Sequence, residues 1–364
     1  MTNQKKCGLL LALVAYTTCT TVRAQSTAAI EQLKIYYKGL EKGHEVNGNI
    51  LVAQEGKVLY QHSFGYTNFE HQTVNTQYTG FNTASIGKTF TAIAVMQLVE
   101  QHKISLDSAY ASYFPDFPYP AVTIRQLLSL TSGTSDQELS PVVDAFKANH
   151  PELALENKDL IPVLAEAKVQ LKLQPGEKWW YSNIGFQLLA ALVEKQSGEY
   201  LGEYLNKKIF RPAGMRHTYL RNKSYHPYLI APYADNYDYA ATFNTVRLKF
   251  EGPRSYYQGK DNMSGNGGII TTTGDFLRYD QALYNGTLLS VASLQALFTP
   301  TKLKNGAVDE VWLKIGNMGT SDDGLGWFIF RDKSMGTIVW HTGGTTCSNW
   351  CFFSMLRQKL AIRL

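Results

Sequence analysis

Several things that would declare a function are missing from this 364-residue sequence. It carries four cysteines, Cys7, Cys19, Cys347 and Cys351, too few for a disulfide scaffold. No run approaches the ~20 consecutive apolar residues that cross a bilayer, so no transmembrane segment is expected. The formal charge of +5 is mostly contributed by Lys5, Lys6 and Arg23; without them 32 basic residues face 30 acidic ones. Such a balance gives no electrostatic footprint for nucleic acid. The eight histidines show no His-Glu-x-x-His or other ligand spacing, so neither a metal nor a cofactor is expected and a metal hydrolase is disfavoured. A Gly-x-Ser-x-Gly nucleophile elbow is also absent. Repeats, low-complexity tracts and flexible linkers are missing too, which points to one folding unit.

What is present begins with the leader. Lys5 and Lys6 precede an apolar run from Gly8 to Tyr16, and Val22-Arg23-Ala24 offers small residues for cleavage. Residues 1–24 therefore read as a secretory signal, with a soluble chain exported to the periplasm or beyond. Lipidation through Cys19 is the weaker alternative, because Tyr16-Thr17-Thr18 is a poor approach to a lipidated cysteine. Beyond the leader only Cys347 and Cys351 remain, and four residues of strand span about 13 Å, so both are expected as free thiols.

Apolar spacing from Ile30 to Glu41 predicts a helix, and Gly48 to Ala53 and Lys57 to Phe64 predict a hairpin turned by Glu55-Gly56. Ile86 to Val99 is apolar on nearly every face and reads as a buried helix. From Ser105 to Gly214 helical patterns are broken by prolines at 115, 118, 120, 141, 151, 162 and 175. Val122 to Leu130 and Ile184 to Ser197, stopped by Gly198, stand out there. The Tyr- and Asn-rich passage from Tyr225 to Met263 has no period and is expected to border a cleft. Gly326–Arg331, Gly336–His341 and Asn349–Ser354 are short β-rich runs. The expected class is α/β in the α+β sense: a mostly antiparallel sheet built from both chain ends (about 25–84 and 265–364), flanked by helices, with a helical lobe at about 85–264.

Three short patterns carry chemistry. In Ser85-Ile86-Gly87-Lys88, residues three apart share a helix face, so a lysine amine can reach a serine hydroxyl; desolvation lowers a lysine's pKa and fits it to activate that hydroxyl. The plain reading is an N-cap serine followed by a solvated lysine. Gly87-Lys88-Thr89 also resembles the end of a phosphate-binding loop, but Asn82 stands where that loop needs glycine and no apolar strand leads in. In Tyr181-Ser182-Asn183 a tyrosine oxygen near an ammonium can move protons and an asparagine amide can hold a carbonyl; Tyr66-Thr67-Asn68 matches the pattern equally well. In His341-Thr342-Gly343-Gly344 a glycine-poised strand edge lets a substrate lie alongside and supplies N–H groups for an oxyanion. A simple turn is the rival reading there, and Lys304-Asn305-Gly306 is a rival segment that itself looks like a turn. Trp179 and Trp180 read either as an aromatic subsite or as packing.

The order of the three patterns resembles the serine β-lactamase-like and penicillin-binding-protein-like superfamily, on its class C-like branch with D-Ala-D-Ala carboxypeptidase and esterase relatives. Phe81–Leu106, Thr123–Gly133, Pro175–Gly198, Pro212-Ala213-Gly214-Met215 and Gly267–Phe276 resemble that family's segments in the same order, so the likeness covers roughly Ile30 to Ser354. It implies a β-lactamase/transpeptidase-like fold and a hydrolase working through an acyl-enzyme. Ser85 would be nucleophile, Lys88 its partner and Tyr181 base and acid. Asn183, His341, Gly343 and Gly344 would bind substrate, with the N–H groups of Ser85 and Gly344 forming the oxyanion hole. Such relatives often carry histidine at the third position when they are esterases or D-amino peptidases, and lysine when they are β-lactamases. The resemblance therefore implies an ester, amide or peptide substrate, cell-wall material included, ahead of efficient β-lactam hydrolysis.

Two departures qualify it. Cys347 stands where relatives tend to have glycine, and the chain is expected to stop short of a closing helix, with its last strand cut short. An inactive relative that binds peptidoglycan or a peptide is accordingly the alternative function, since fold does not fix activity.

Overall fold

The computed structural model describes residues 22–43, 45–68, 71–221, 261–308, 310–314, 319–333, 336–345, 349–355 and 360–363. Most of the expected leader, Cys19, Cys347 and nearly all of Tyr225–Met263 lie outside the described residues.

Helix α1 (Val22–Lys42) leads into strands β1 (Gly48–Gln54) and β2 (Lys57–Phe64). The helix starts eight residues before the expected Ile30, because apolar spacing marks the packed stripe and not the polar turns that precede it. Glu55 and Gly56 both take positive φ, 49° and 77°, as a two-residue hairpin turn requires. Strand β1 is buried on both faces. Ile50 and Val52 join Leu33, Tyr37 and Phe64 in the main core, while Leu51 and Ala53 pack on Leu277. That double cover explains why β1 reads as a continuous apolar run.

Short strands β3 (Tyr66–Asn68), β4 (Thr73–Val74) and β5 (Phe81–Asn82) follow, then helix α2 (Gly87–Glu100). Eleven of its fourteen residues, Lys88 among them, are buried. The helical region continues with α3 (Ile124–Leu128), α4 (Asp136–Asn149), α5 (Leu160–Ala167), α6 (Asn183–Ser197) and α7 (Leu201–Leu205). Pro141 does not break the helical pattern as expected: it sits inside α4. Pro162 lies in the first turn of α5, where a missing N–H is tolerated.

Strands β6 (Tyr219–Leu220) and β7 (Ile269–Thr271) pair with β5 in the order β5-β7-β6, and helices α8 (Thr273–Tyr284) and α9 (Val291–Leu297) come next. Strands β8 (Glu310–Lys314), β9 (Thr320–Asp323), β10 (Phe328–Asp332), β11 (Gly336–Gly344), β12 (Asn349–Met355) and β13 (Leu360–Arg363) complete the main sheet. Its order is β2-β1-β13-β12-β11-β10-β9-β8, with every neighbour antiparallel. The two ends of the chain thus share one sheet, as expected, and β13 joins them by pairing Val52 with Ile362 and Phe353 with Ile362. Cys351 on β12 is buried. No helix among the described residues is long and apolar enough to cross a membrane.

Candidate active site

The site is a corner where the start of α2, the start of α6 and the end of β11 meet. Thr83 anchors the approach, its N–H and its hydroxyl both donating to the Ile269 carbonyl at 2.8 and 3.0 Å. Ala84 then takes φ 47°, a left-handed conformation costing a non-glycine residue roughly 1–3 kcal/mol. The Asn82 carboxamide oxygen holds it by accepting from the Ala84 N–H at 3.0 Å. This kink swings Ser85 into a 3-10 turn directly before α2.

Lys88 is fully buried. Its Nζ donates to Asn183 Oδ1 at 2.6 Å, to the Asn266 carbonyl at 3.0 Å and toward Ser85 Oγ at 3.3 Å. It also lies 4.6 Å from the ring centre of Tyr181 and 5.6 Å from that of Phe186. Burial pushes the amine down from its ordinary 10.5 to about 7, and Asp136 pulls the other way. The solvated-lysine reading of Ser-x-x-Lys therefore does not describe this chain.

Asn183 opens α6, whose cap is Ser182: its hydroxyl accepts from the Gly185 N–H at 2.9 Å and donates to the Thr134 carbonyl. Tyr181 precedes it, its ring 6.2 Å from that of Trp179. Trp179 is buried and reaches the Phe328 ring at 6.5 Å, which is packing, while Trp180 is half-buried.

On β11, His341 is buried and stacks on Phe328 at 4.8 Å between ring centres. Its Nδ1 lies 2.6 Å from the Thr342 carbonyl; a carbonyl only accepts, so Nδ1 carries the hydrogen. Burial, then the charge of Lys88, push this ring from 6.5 down to about 3, against the Thr342 contact. Gly343 is packed so closely that a Cβ there would lie 2.0 Å from the Thr83 carbonyl oxygen and 3.0 Å from Ser85 N. Gly344 is the exposed last residue of the strand, paired with Asn349.

Ser85, Lys88, Tyr181, Asn183, His341 and Gly343 are thus drawn to one corner, with Gly344 at its rim. The rivals lie in other settings. Tyr66–Asn68 forms β3 in a separate two-stranded sheet, and Lys304-Asn305-Gly306 is a turn, Gly306 N–H donating to the Leu303 carbonyl at 2.9 Å. Sequence reasoning missed Asp136, Asn266 and the strained Ala84. Asp136 lies three residues past the recognisable Thr131-Ser132-Gly133 run, and Asn266 acts through its backbone, which no side-chain pattern signals. Among the described residues no three of His, Cys, Asp and Glu cluster as a metal ion would need.

A mostly antiparallel sheet under helices, with a buried lysine against a serine at a helix start, defines a serine-lysine site on a β-lactamase-type fold. A family model described as Beta-lactamase matches residues 34–354, and the chain belongs to that family. It is 34% identical over 316 residues to Penicillin-binding protein 4* of Bacillus subtilis (strain 168), covering 86% of this chain and 66% of that protein. The chain spans about two thirds or less of the length of the curated relatives it matches. Among solved structures, a penicillin binding protein from Bacillus halodurans is 25% identical with TM-score 0.71, covering 90% of this chain and 92% of that one. EstCE1, described as a hydrolase with promiscuous acyltransferase activity, shares the fold at TM-score 0.73 and 21% identity, covering 94% and 93%.

Proposed function

We propose that this chain is an exported serine hydrolase that transfers an acyl group from an ester or amide to Ser85 and then to water. The observation that carries the reading is Lys88: buried, 3.3 Å from the Ser85 hydroxyl and held at about 7. At neutral pH a large share of this amine is unprotonated and can take the serine proton as Oγ attacks the acyl carbon. The proton then passes to the departing alcohol or amine, with Tyr181 beside the ammonium as the group that hands it over. Water repeats the sequence on the acyl-enzyme, freeing the acid and restoring Ser85. The N–H groups of Ser85 and Gly344 are assigned to the developing oxyanion, and Asn183, whose amide nitrogen donates to Asp136 and has a second hydrogen to offer, to the substrate carbonyl.

Substrate class follows from the third pattern. A ring held near 3 stays neutral, so His341 offers a carboxylate no counter-charge, and an ester or short peptide fits better than a penicillin. Cell-wall peptide is one such substrate. Export is supported by Lys5, Lys6 and the apolar run after them, with cleavage near Ala24.

Intact mass and peptide mapping after a fluorophosphonate and, separately, a penicillin test the reading, with Ser85→Ala as control. A stable adduct on Ser85, lost in the variant, is expected from the fluorophosphonate. A folded protein that takes neither reagent would return the inactive, peptide-binding alternative. Fast turnover of penicillins with no turnover of esters or D-amino peptides would sink the substrate assignment alone.

A further inference from the structure

Asp136 lies outside every pattern read from the sequence, yet its carboxylate is the most heavily bonded group beside the site. It is the first residue of α4, whose cap is Ser135, and it faces the start of α6. Oδ1 accepts from the N–H of Asn183 at 2.8 Å and from that of Ile184 at 3.0 Å; Oδ2 accepts from the N–H of Asn183 at 2.9 Å and from its Nδ2 at 2.8 Å. The bonds from these two backbone N–H groups are what any helix N-terminus asks of an acid. The bond from Nδ2 is different, because it decides which way the Asn183 amide faces. With Nδ2 committed to the acid, Oδ1 is turned to Lys88, which it meets at 2.6 Å.

We propose that Asp136 is a positioning residue of this site: its carboxylate fixes the Asn183 amide with the oxygen toward Lys88 and supplies negative charge to the buried ammonium. The inference rests on the hydrolase reading above and adds to it the group that sets how Lys88 is held. Among the described residues the titratable groups facing Lys88 are Asp136 from α4, Tyr181 from the approach to α6 and His341 from β11. Of these Asp136 alone carries a charge that opposes burial, since His341 is neutral and itself feels Lys88 as a repulsion. Without Asp136, Asn183 is free to flip and present two N–H donors to an ammonium, which would push the lysine out of register with Ser85.

The test uses the full chain and the pH dependence of fluorophosphonate labelling at Ser85. Asp136→Asn keeps an acceptor for the backbone of α6 but loses the charge and the amide clamp. Its acid limb is expected to move down by about one pH unit, because an unsupported ammonium gives up its proton more easily, and its plateau to fall about tenfold. Asp136→Glu keeps the charge with altered reach, so the wild-type midpoint with a lowered plateau is expected. Glu138→Gln, two residues on and directed at Lys172, should change neither. A purely structural cap would lower melting temperature without moving the midpoint, so a folded Asp136→Asn protein with the wild-type midpoint overturns the proposal. Should Asp136→Asn not fold, Asp136→Glu with an undiminished plateau overturns it. If the wild-type protein takes no label, the hydrolase reading fails separately, and NMR titration of Lys88 in 15N-lysine protein still reads the expected shift between wild type and Asp136→Asn.

Discussion

Two bases lie fully buried at this site, and they end in opposite states. Lys88 stands among oxygens from Ser85, Asn183 and Asn266, with a carboxylate behind Asn183; His341 has one carbonyl at Nδ1 and a phenyl ring against its face. Burial lowers both, but the first stops at about 7 and the second falls to about 3. The two fall by about the same amount, from 10.5 and from 6.5, so the residue type placed at each position decides whether a buried base works at neutral pH. The helical side of the corner is built for a proton that comes and goes, and the sheet side for a fixed, uncharged wall.

The largest way to break that division is to push the wall off the corner. Gly343 allows β11 to touch the Thr83 carbonyl, and a methyl group there has nowhere to go except by moving the strand or the Ser85 turn. Gly343→Ala is expected to slow Ser85 labelling about 100-fold, the scale of an ångström of misplacement at a reacting centre, while Lys88 keeps its partners. Labelling by mass spectrometry checks it; a wild-type rate would show that strand and nucleophile are not coupled.

The pH dependence of stability separates the two bases more finely. Both have folded-state values below their unfolded ones, so each contributes stability that is present above its unfolded value and lost as pH falls toward its folded value. For Lys88 the window runs from 10.5 down to about 7, and for His341 from 6.5 down to about 3. Between pH 9.5 and 7.5 the loss from Lys88 is about 2 kcal/mol, and between pH 6.5 and 5 that from His341 is about 2 kcal/mol. Urea unfolding across both ranges is expected to flatten in the upper window for Lys88→Met and in the lower one for His341→Asn. A slope retained in either variant would mean that the buried base in question is not the one releasing the proton.

How much of this was legible in the sequence follows the same division. Ser85, Lys88, Tyr181 and Asn183 lie at helix starts, where spacing fixes geometry, and the hairpin at Glu55-Gly56 and the helix ending at Ser197 follow local rules that single residues announce. Strands β5, β6 and β7 went unread because two or three residues give no period, and their pairing is set by distant partners, Phe81 with Thr271 and Tyr219 with Ile270. The kink at Ala84 escaped because alanine does not advertise a left-handed conformation. Asp136 escaped because its meaning depends on α4 and α6 meeting end to end, a tertiary fact. Pro141 misled in the other direction: packing of α4 through Leu139 and Val143 outweighs the one hydrogen bond it removes.

The smallest predicted difference compares two helix caps, one at the corner and one away from it. Thr123 closes a reciprocal capping box with Gln126 at the start of α3, and Ser182 caps α6 while bonding back to Thr134. Each loses one capping bond on substitution by alanine, so each variant is expected to lose about 1 kcal/mol in urea unfolding. Labelling should not follow suit. Asn183 is the first residue of α6, so fraying that turn loosens the acceptor that holds Lys88, and Ser182→Ala should also slow labelling about tenfold. Thr123→Ala should label at the wild-type rate. Equal rates in the two variants would mean that Asp136 by itself keeps Asn183 in place against Lys88, with the cap contributing stability and nothing to the chemistry.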